Sequence, residues 1–459
     1  MQTNPNIFKA YDIRGIYGQD LDEETAYRLG RAYVKFSRQD GKAGELNIVV
    51  AEDMRLSSPR LKQSLIKGIT EAGANAVDIG LASTPTFYFA VAYFNYGGGL
   101  IITASHNPKE WNGFKLVREK AIPISGETGL YELRDMAMGG LTAPQAPGPL
   151  KKRGETIKKG DVLEIQTEHD LRFVDLNKIK PLKIAVDPAN GMGAQYIEEL
   201  FKHLPCRLIK MNFDLDGAFP AHEADPLKEE NLEDLKKKVI EENADLGIAI
   251  DGDGDRIFFI DEKGKTIDQS IIRGILSMIF LREKPGSKIC YDIRPGRITR
   301  DMIEENGGIP IVTRVGHSLI KEQALKENAY FAGESSGHFF LNMDIGCFEA
   351  PVIMILKLLR EFSESNKPIS EYIKPYQKYF HSGEINSTVK NQEEVIKKIE
   401  KKYGDGEINK LDGITVEYSD FWFNVRGSNT EPKLRLNLEA KTKELMEEKR
   451  DEVLKIIRE

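Results

Sequence analysis

GGGLIITASHNP (residues 97–108) joins a short apolar run to a loop of reactive side chains. The unbroken Leu-Ile-Ile after three glycines predicts a buried strand over residues 100–103, with the loop TASHNP (103–108) opening at its carboxyl end. There Ser105 can act as a nucleophile or phosphate carrier, His106 can move or orient a proton, and Pro108 keeps the segment from continuing as helix. Read alone, a capping or turn serine is the simpler account. The surrounding chain decides between the two.

Working outward, the loop ends a strand, helix, strand, helix, strand series predicted at residues 48–51, 58–73, 76–79, 87–94 and 100–103. In its first helix Ser58 is the expected cap and Pro59 suits the first turn. Leu61, Leu65 and Ile69 form one stripe, and Gly73 fits the end. The same order returns with strands at 183–187, 206–211 and 246–250 around helices at 193–204 and 231–242, and it runs into DGDGDR (251–256). A third round has strands at 288–292, 309–313 and 330–332 around helices at 297–305 and 319–326, and runs into GESSGH (333–338). In open α/β sheets ligands lie beyond the carboxyl ends of strands, so the three loops are expected to converge on one cleft.

Upstream, AYDIRG (10–15) places Tyr11 and Arg14 ahead of a helical pattern on Ala26, Leu29, Tyr33 and Phe36. TAPQAPGPLKKRG (142–154) reads as a linker. Downstream, an apolar helix at 349–360 is broken by Lys357 and Arg360 and belongs to a core. The polar residues 363–367 mark a last boundary. A helix at 392–403, strands at 414–418, 421–425 and 434–438, and a terminal helix from Lys443 then make a small α+β unit carrying RGSNTEPKLR (426–435). The expected fold class is α/β, with domains at 1–153, 154–258, 259–368 and a C-terminal α+β domain at 369–459 around a central cleft.

Composition narrows the function. The 459 residues are 40% hydrophobic and 30% charged, with a net charge of -7 and both signs interspersed. This pattern gives no basic stripe for nucleic acid and no polybasic membrane segment, so an anionic substrate needs a local basic site. The first residues lack a basic and apolar leader pattern, and no apolar run is long enough to span a bilayer; the expected location is the cytoplasm. Cys206, Cys290 and Cys347 are odd in number and widely spaced, which argues against a disulfide framework.

Asp251, Asp253 and Asp255 alternate with glycines, so the backbone can fold tightly enough for three carboxylates to meet a hard divalent cation, with magnesium the expected ion. Asp251, Asp253, Asp255 and Glu262 also match a calcium loop, but Arg256 occupies the position where the sharp turn needs glycine and the flanks read as strands. Such a loop is also open to an aspartate that accepts a phosphoryl group, or to carboxylates that are merely solvated in a turn. RGSNTEP suits a phosphate, which an arginine fork, hydroxyls and an amide can grip. GESSGH offers Glu334, Ser336 and His338 to sugar hydroxyls. Lys115, Arg294, Arg314 and His317 are further candidates for anion binding or proton transfer. A carrier serine, a cation site, a polyol grip and a second phosphate grip together imply a phosphosugar substrate. Phosphoryl transfer fits better than acyl transfer, because no nucleophile-elbow or oxyanion-hole pattern is present.

With TASHNP, DGDGDR, GESSGH and RGSNTEP in this order, the whole chain resembles the α-D-phosphohexomutases, most closely their bacterial phosphomannomutase/phosphoglucomutase branch. The resemblance implies three related α/β domains and a last domain similar to the TATA-binding-protein fold. It implies that Ser105 is the phosphoserine and, with Asp251, Asp253 and Asp255, a ligand of one magnesium ion per chain. Arg256 would lie beside the metal loop and sugar, Lys115 and His317 would serve proton transfer and substrate contact, and Tyr11, Arg14, His106 and Asn107 would surround the serine. Glu334 and Ser336 would hold sugar hydroxyls, with His338 and Gly316 nearby, and Arg294 stands where many members carry lysine. Arg426, Ser428, Asn429 and Thr430 would bind the phosphate that does not react. The implied activity interconverts hexose 1- and 6-phosphates through a hexose 1,6-bisphosphate, in a monomer or homodimer. Competing readings are a phosphoglucosamine mutase, a metal-dependent sugar-phosphate phosphatase, or a binding module without turnover.

Overall fold

The computed structural model describes residues 4–39, 44–139, 153–294, 296–427 and 433–459. Most of the 142–154 linker falls outside them. Four sheets follow one another along the chain. The first has spatial order Ile13–Ile16, Trp111–Arg118, Gly98–Ile102, Asn47–Glu52, Asn75–Leu81, Thr156–Lys158; the second, Ile257–Asp261, Leu246–Ile250, Lys183–Asp187, Arg207–Lys210. The third runs Ile309–Thr313, Lys288–Asp292, Phe331–Gly333, Phe339–Met343, Gly346–Glu349. In the fourth, Lys433–Ala440 and Phe421–Gly427 are central, flanked by Phe380–His381, Ile414–Glu417 and Glu407–Asn409, with Ile385–Thr388 also pairing to Lys433–Ala440.

The first three sheets share one device. A parallel core delivers a strand to its functional loop, and the chain then returns antiparallel: Ile102 faces Phe114, Ile250 faces Ile257, and Gly333 faces Phe339. Each functional loop is therefore the turn of a hairpin whose first strand is parallel to its other neighbour. Apart from the strand-like flank read after DGDGDR, the strand, helix, strand series contains no returning strands. They are buried on both faces, so Ile257–Asp261 and Phe339–Met343 lack the alternation that marks a half-exposed strand.

Local chemistry sets the helices. Asp22 caps Glu23–Ser37 by accepting from the Thr25 N–H, and Ser83 caps Thr84–Tyr93 by accepting from Thr86. In Ser58–Glu71 the expected capping serine is shifted: Ser57 occupies the N-cap but its hydroxyl accepts from Asn112 Nδ2 at 2.7 Å and makes no capping bond, while the Ser58 hydroxyl donates to Asp53 Oδ1 at 2.7 Å. The helix end offers only N–H donors, which would use the Ser58 oxygen as an acceptor; the buried Asp53 carboxylate instead takes the Ser58 O–H as a donor in a charge-assisted bond. Gln269–Glu283 has no counterpart in the sequence reading. It is apolar nearly all round, with Ile271, Ile272, Ile275, Leu276, Ile279 and Phe280 all buried, and so shows no amphipathic period.

Apolar cores join the first three units. Ile197, Leu200 and Ile248 of the second pack in one cluster with Ile275, Met354 and Leu358 of the third, and Phe348 of the third packs with Phe87 and Val91 of the first. The fourth sheet keeps its own core, built on Ile399, Val416, Phe423, Leu436, Val453 and Ile457. No helix among the described residues is long and apolar enough to cross a membrane.

Candidate active site

The loop after Gly98–Ile102 holds Ser105 in the left-handed region, at φ 50°, with its N–H donating to Thr103 Oγ1 at 2.9 Å. Ser105 is almost fully buried. Its Oγ donates to Asp251 Oδ2 at 2.9 Å and lies 3.1 Å from His106 Nδ1. Burial, with Arg256 and Arg14 nearby, keeps the His106 imidazole well below its usual value. Arg14 pairs with Asp12 at 2.7 Å and donates to the Ala104 carbonyl and the Asn107 side chain. Tyr11 meets His317 edge-on, with ring centroids 5.8 Å apart.

The second loop turns at Gly254, whose φ of +78° suits glycine. Asp251, Asp253 and Asp255 bring one oxygen each to within 4.8 Å of one another, all buried. Asp251 Oδ1 accepts from the N–H groups of Asp255 and Arg256. Lys115 Nζ donates to Asp253 at 2.6 Å and to Asp255 at 2.5 Å, and Thr84 donates to Asp253 at 2.6 Å. Burial alone would lower the Lys115 value, but the two carboxylates hold it well above the usual range. Burial and the charges of Asp255 and Asp253 push the Asp251 carboxyl well up. Asp253 Oδ1 is buried without a hydrogen-bond partner among the described residues. Three converging carboxylates with an orphaned buried oxygen among them fit a hard divalent cation.

In the third loop, Glu334 Oε1 accepts from the Gly316 N–H at 2.8 Å. The His338 ring spans two acids, with Nε2 3.1 Å from Asp255 Oδ1 and Nδ1 3.1 Å from Glu334 Oε2; Ser336 Oγ lies 2.9 Å from Nδ1. Burial opposes charge on this ring, but Asp255 and Glu334 outweigh it and raise the value to about 9. Arg256 Nε is 3.4 Å from His338 Nε2 and 3.8 Å from Asp251. Arg294 pairs with Asp292 and lies 3.8 Å from Glu334 and 3.5 Å from Ser336. Both His317 ring nitrogens are buried with no hydrogen-bond partner among the described residues, and burial, with Lys321 and Lys115 nearby, keeps the ring neutral. Arg314 is exposed.

From the fourth sheet Arg426 reaches Glu384 at 2.7 Å, and Ser428, Asn429 and Thr430 lie outside the described residues. Thus Tyr11, Arg14, Ser105, His106, Asn107, Lys115, the three aspartates, Arg256, Arg294, Gly316, His317, Glu334, Ser336 and His338 form one connected cluster. Arg426 joins it through Glu384, whose carboxyl is held down, against burial, by Arg426 and Arg294. Sequence reasoning missed Arg55, Thr84 and Glu384. Arg55 has a usable signal, because it follows Asn47–Glu52 at the same carboxyl edge as the serine loop. Glu384 has none.

Four sequence profiles match the chain in order. They are described as phosphoglucomutase/phosphomannomutase alpha/beta/alpha domains I, II and III, over residues 5–134, 164–264 and 270–379, and the C-terminal domain, over 384–456. A protein of Methanocaldococcus jannaschii named phosphomannomutase is 40% identical over 452 residues, covering 98% of this chain and 97% of that protein. One of Vibrio cholerae with the same name is 39% identical, covering 98% of each. A solved phosphoglucomutase/phosphomannomutase family protein from Burkholderia thailandensis superposes with a TM-score of 0.87 at 32% identity, covering 99% of this chain and 97% of that one.

Proposed function

The chain belongs to the phosphoglucomutase/phosphomannomutase family, and from that premise we propose how this hexose phosphate mutase works and on which sugars. The substrates are mannose 1-phosphate, after the names of its relatives, and glucose 1-phosphate. Phosphorylated Ser105 gives its phosphoryl group to the free 6-hydroxyl: an O–P bond forms at the sugar as the Ser105 Oγ–P bond breaks, leaving a hexose 1,6-bisphosphate. The bisphosphate turns end for end, and Ser105 Oγ takes the phosphoryl group from the 1-position, restoring the phosphoserine and leaving hexose 6-phosphate. Asp251, Asp253 and Asp255 would hold magnesium, which would supply positive charge against the phosphoryl oxygens.

The chain's own groups divide the remaining work. Lys115 keeps its proton between Asp253 and Asp255 and adds charge beside the transferring group. His317, neutral and with both ring nitrogens uncommitted among the described residues, accepts the 6-hydroxyl proton in the first transfer and returns a proton to the 1-oxygen as its O–P bond breaks in the second. Glu334 and Ser336 take sugar hydroxyls, while Arg426, Ser428, Asn429 and Thr430 grip the phosphate that does not react and so fix the sugar's orientation.

The observation carrying this reading is the 2.9 Å bond from Ser105 Oγ to Asp251, which sets the carrier hydroxyl from one sheet against the carboxylates of the next. The test is turnover of mannose, glucose and glucosamine 1-phosphates with magnesium and trace hexose 1,6-bisphosphate. Conversion of the mannose and glucose substrates, abolished by Ser105→Ala in a folded protein, is the expected result. Turnover of glucosamine phosphate alone would make it an aminosugar mutase, and phosphate release that survives Ser105→Ala would make it a phosphatase.

A further inference from the structure

Arg55 is 1% exposed, yet it touches none of the loops' reactive atoms. Its guanidinium has five N–H donors, and every one is committed. Nε donates to Asp53 Oδ2 at 3.2 Å; Nη1 donates to the carbonyls of Pro108 at 2.8 Å and Trp111 at 3.0 Å; Nη2 donates to the carbonyls of Ser105 at 2.7 Å and Asn107 at 2.6 Å. One side chain therefore gathers four carbonyls from the seven-residue stretch 105–111 around a single planar fork. Phe219, from the second unit, closes the other side with its ring centroid 5.1 Å from the guanidinium carbon. The fork is itself aimed: Asp53 Oδ1 accepts from the Arg55 N–H at 3.1 Å and from the Ser58 hydroxyl at 2.7 Å.

The gathered stretch includes the one strained residue of the loop. Ser105 sits at φ 50°, a conformation that costs a non-glycine residue of order 1 kcal/mol or more and persists only when its surroundings over-determine it. An extended or helical Ser105 would turn its carbonyl off Nη2 and swing Oγ away from Asp251. We infer that Arg55 is a positioning residue for phosphoryl transfer, holding Ser105 left-handed and its Oγ on the aspartate cluster by gripping the loop's carbonyls. The inference rests on the reading of Ser105 as phosphoryl carrier. A lysine there keeps the charge beside Asp53 but has three donors in place of a planar five.

The experiment compares wild type, Arg55→Lys and Asp53→Asn, which unseats the fork while leaving it in place. Each is measured for kcat and KM on hexose 1-phosphate, for the rate at which Ser105 gains mass from hexose 1,6-bisphosphate, and for thermal unfolding. A displacement near 1 Å is worth about 100-fold. Arg55→Lys is therefore expected to lose about 100-fold in kcat and in the Ser105 phosphorylation rate, with KM changed less than about threefold. Asp53→Asn is expected to fall between it and wild type. A folded Arg55→Lys protein with kcat within about threefold of wild type would overturn the inference, as would losses that track only the folded fraction. If Arg55→Lys does not fold, wild-type kcat and phosphorylation rate in Asp53→Asn would overturn it equally. Failure of the mutase reading shows separately, as wild-type protein that neither turns over nor gains mass at Ser105.

Discussion

The two oxygens of Asp253 have different surroundings. Oδ2 takes Lys115 and Thr84 at 2.6 Å each, and Oδ1 is buried with no partner among the described residues. Asp253→Asn keeps a carbonyl oxygen for the first pair and replaces the second acceptor by an amide that cannot ligate a cation. We expect the folded variant to need at least about 10-fold more magnesium for half-maximal turnover, since a charged ligand is lost; an unchanged magnesium titration would contradict the ligand assignment. These aspartates were legible in sequence because the spacing DGDGD is itself the geometry. For Arg55 only its place, just after a strand at the carboxyl edge that bears the serine loop, was there to be read; its role was not, because its partners are main-chain carbonyls, which every residue has and no sequence distinguishes. Glu384 was hidden for another reason: its partner Arg426 lies 42 residues on in the same domain, and the charge of Arg294 reaches it from a different domain.

At the scale of elements, the hairpins explain why the loops are glycine-rich. A Cβ on Gly252 would stand 2.5 Å from the Ser105 carbonyl oxygen, a backbone atom held from the other side by Arg55. Gly252→Ala must therefore push the metal loop off the serine loop. We expect kcat to fall about 100-fold with the separate sheets intact, and activity near wild type would show that the two loops need not touch. The helix Arg297–Glu305 makes a second prediction. Glu439, on the strand Lys433–Ala440, accepts from the N–H groups of Gly296 and Arg297 at its start. Burial, then Asp268, pushes the Glu439 carboxyl up to about 7, opposed by Arg297 and the two N–H groups; His381 is its cross-strand neighbour. A native value above the unfolded one means stability that is full below about pH 4.5 and lost as pH rises through about 7, worth roughly 3 kcal/mol. In Glu439→Gln that loss should vanish, so urea unfolding followed on Trp422, with Trp111→Phe as background, should give a flatter pH dependence than the parent. Identical slopes would place the titration elsewhere. Most helices and parallel strands were legible from their period and caps; the returning strands and Gln269–Glu283 were not, because full burial erases the alternation on which such reading depends.

Across the whole molecule, the first three units share apolar cores, which also take in Ile369 and Ile373, while the fourth sheet keeps its own, so that sheet is held to the third unit chiefly by polar contacts. Arg297 carries the largest share. It donates to the carbonyls of Tyr418, of Phe421 at 3.2 Å and of Ser419 at 3.4 Å, and lies 3.4 Å from Glu417, which Arg300 also meets at 2.9 Å. Such a joint resists separation but tolerates sliding, since its bonds can exchange with water while an apolar core cannot. The proposed cycle needs that property: the bisphosphate must be kept while it turns, and hexose 6-phosphate must be let go once Ser105 has taken its phosphoryl group back. Wild-type protein should therefore become more compact in solution scattering when hexose 1,6-bisphosphate is added, and Arg297→Ala should be less compact than wild type without it. The variant should also show a separate, earlier unfolding transition for the fourth domain, because the contacts that couple it to the rest are fewer while its own core remains. Mutase turnover should weaken mainly through a higher KM, since closure around the substrate then draws on binding energy that the joint no longer supplies. Scattering curves that do not change with bisphosphate in either protein would mean that the sugar turns in a cleft of fixed width, and the polar joint would then be only a fastening.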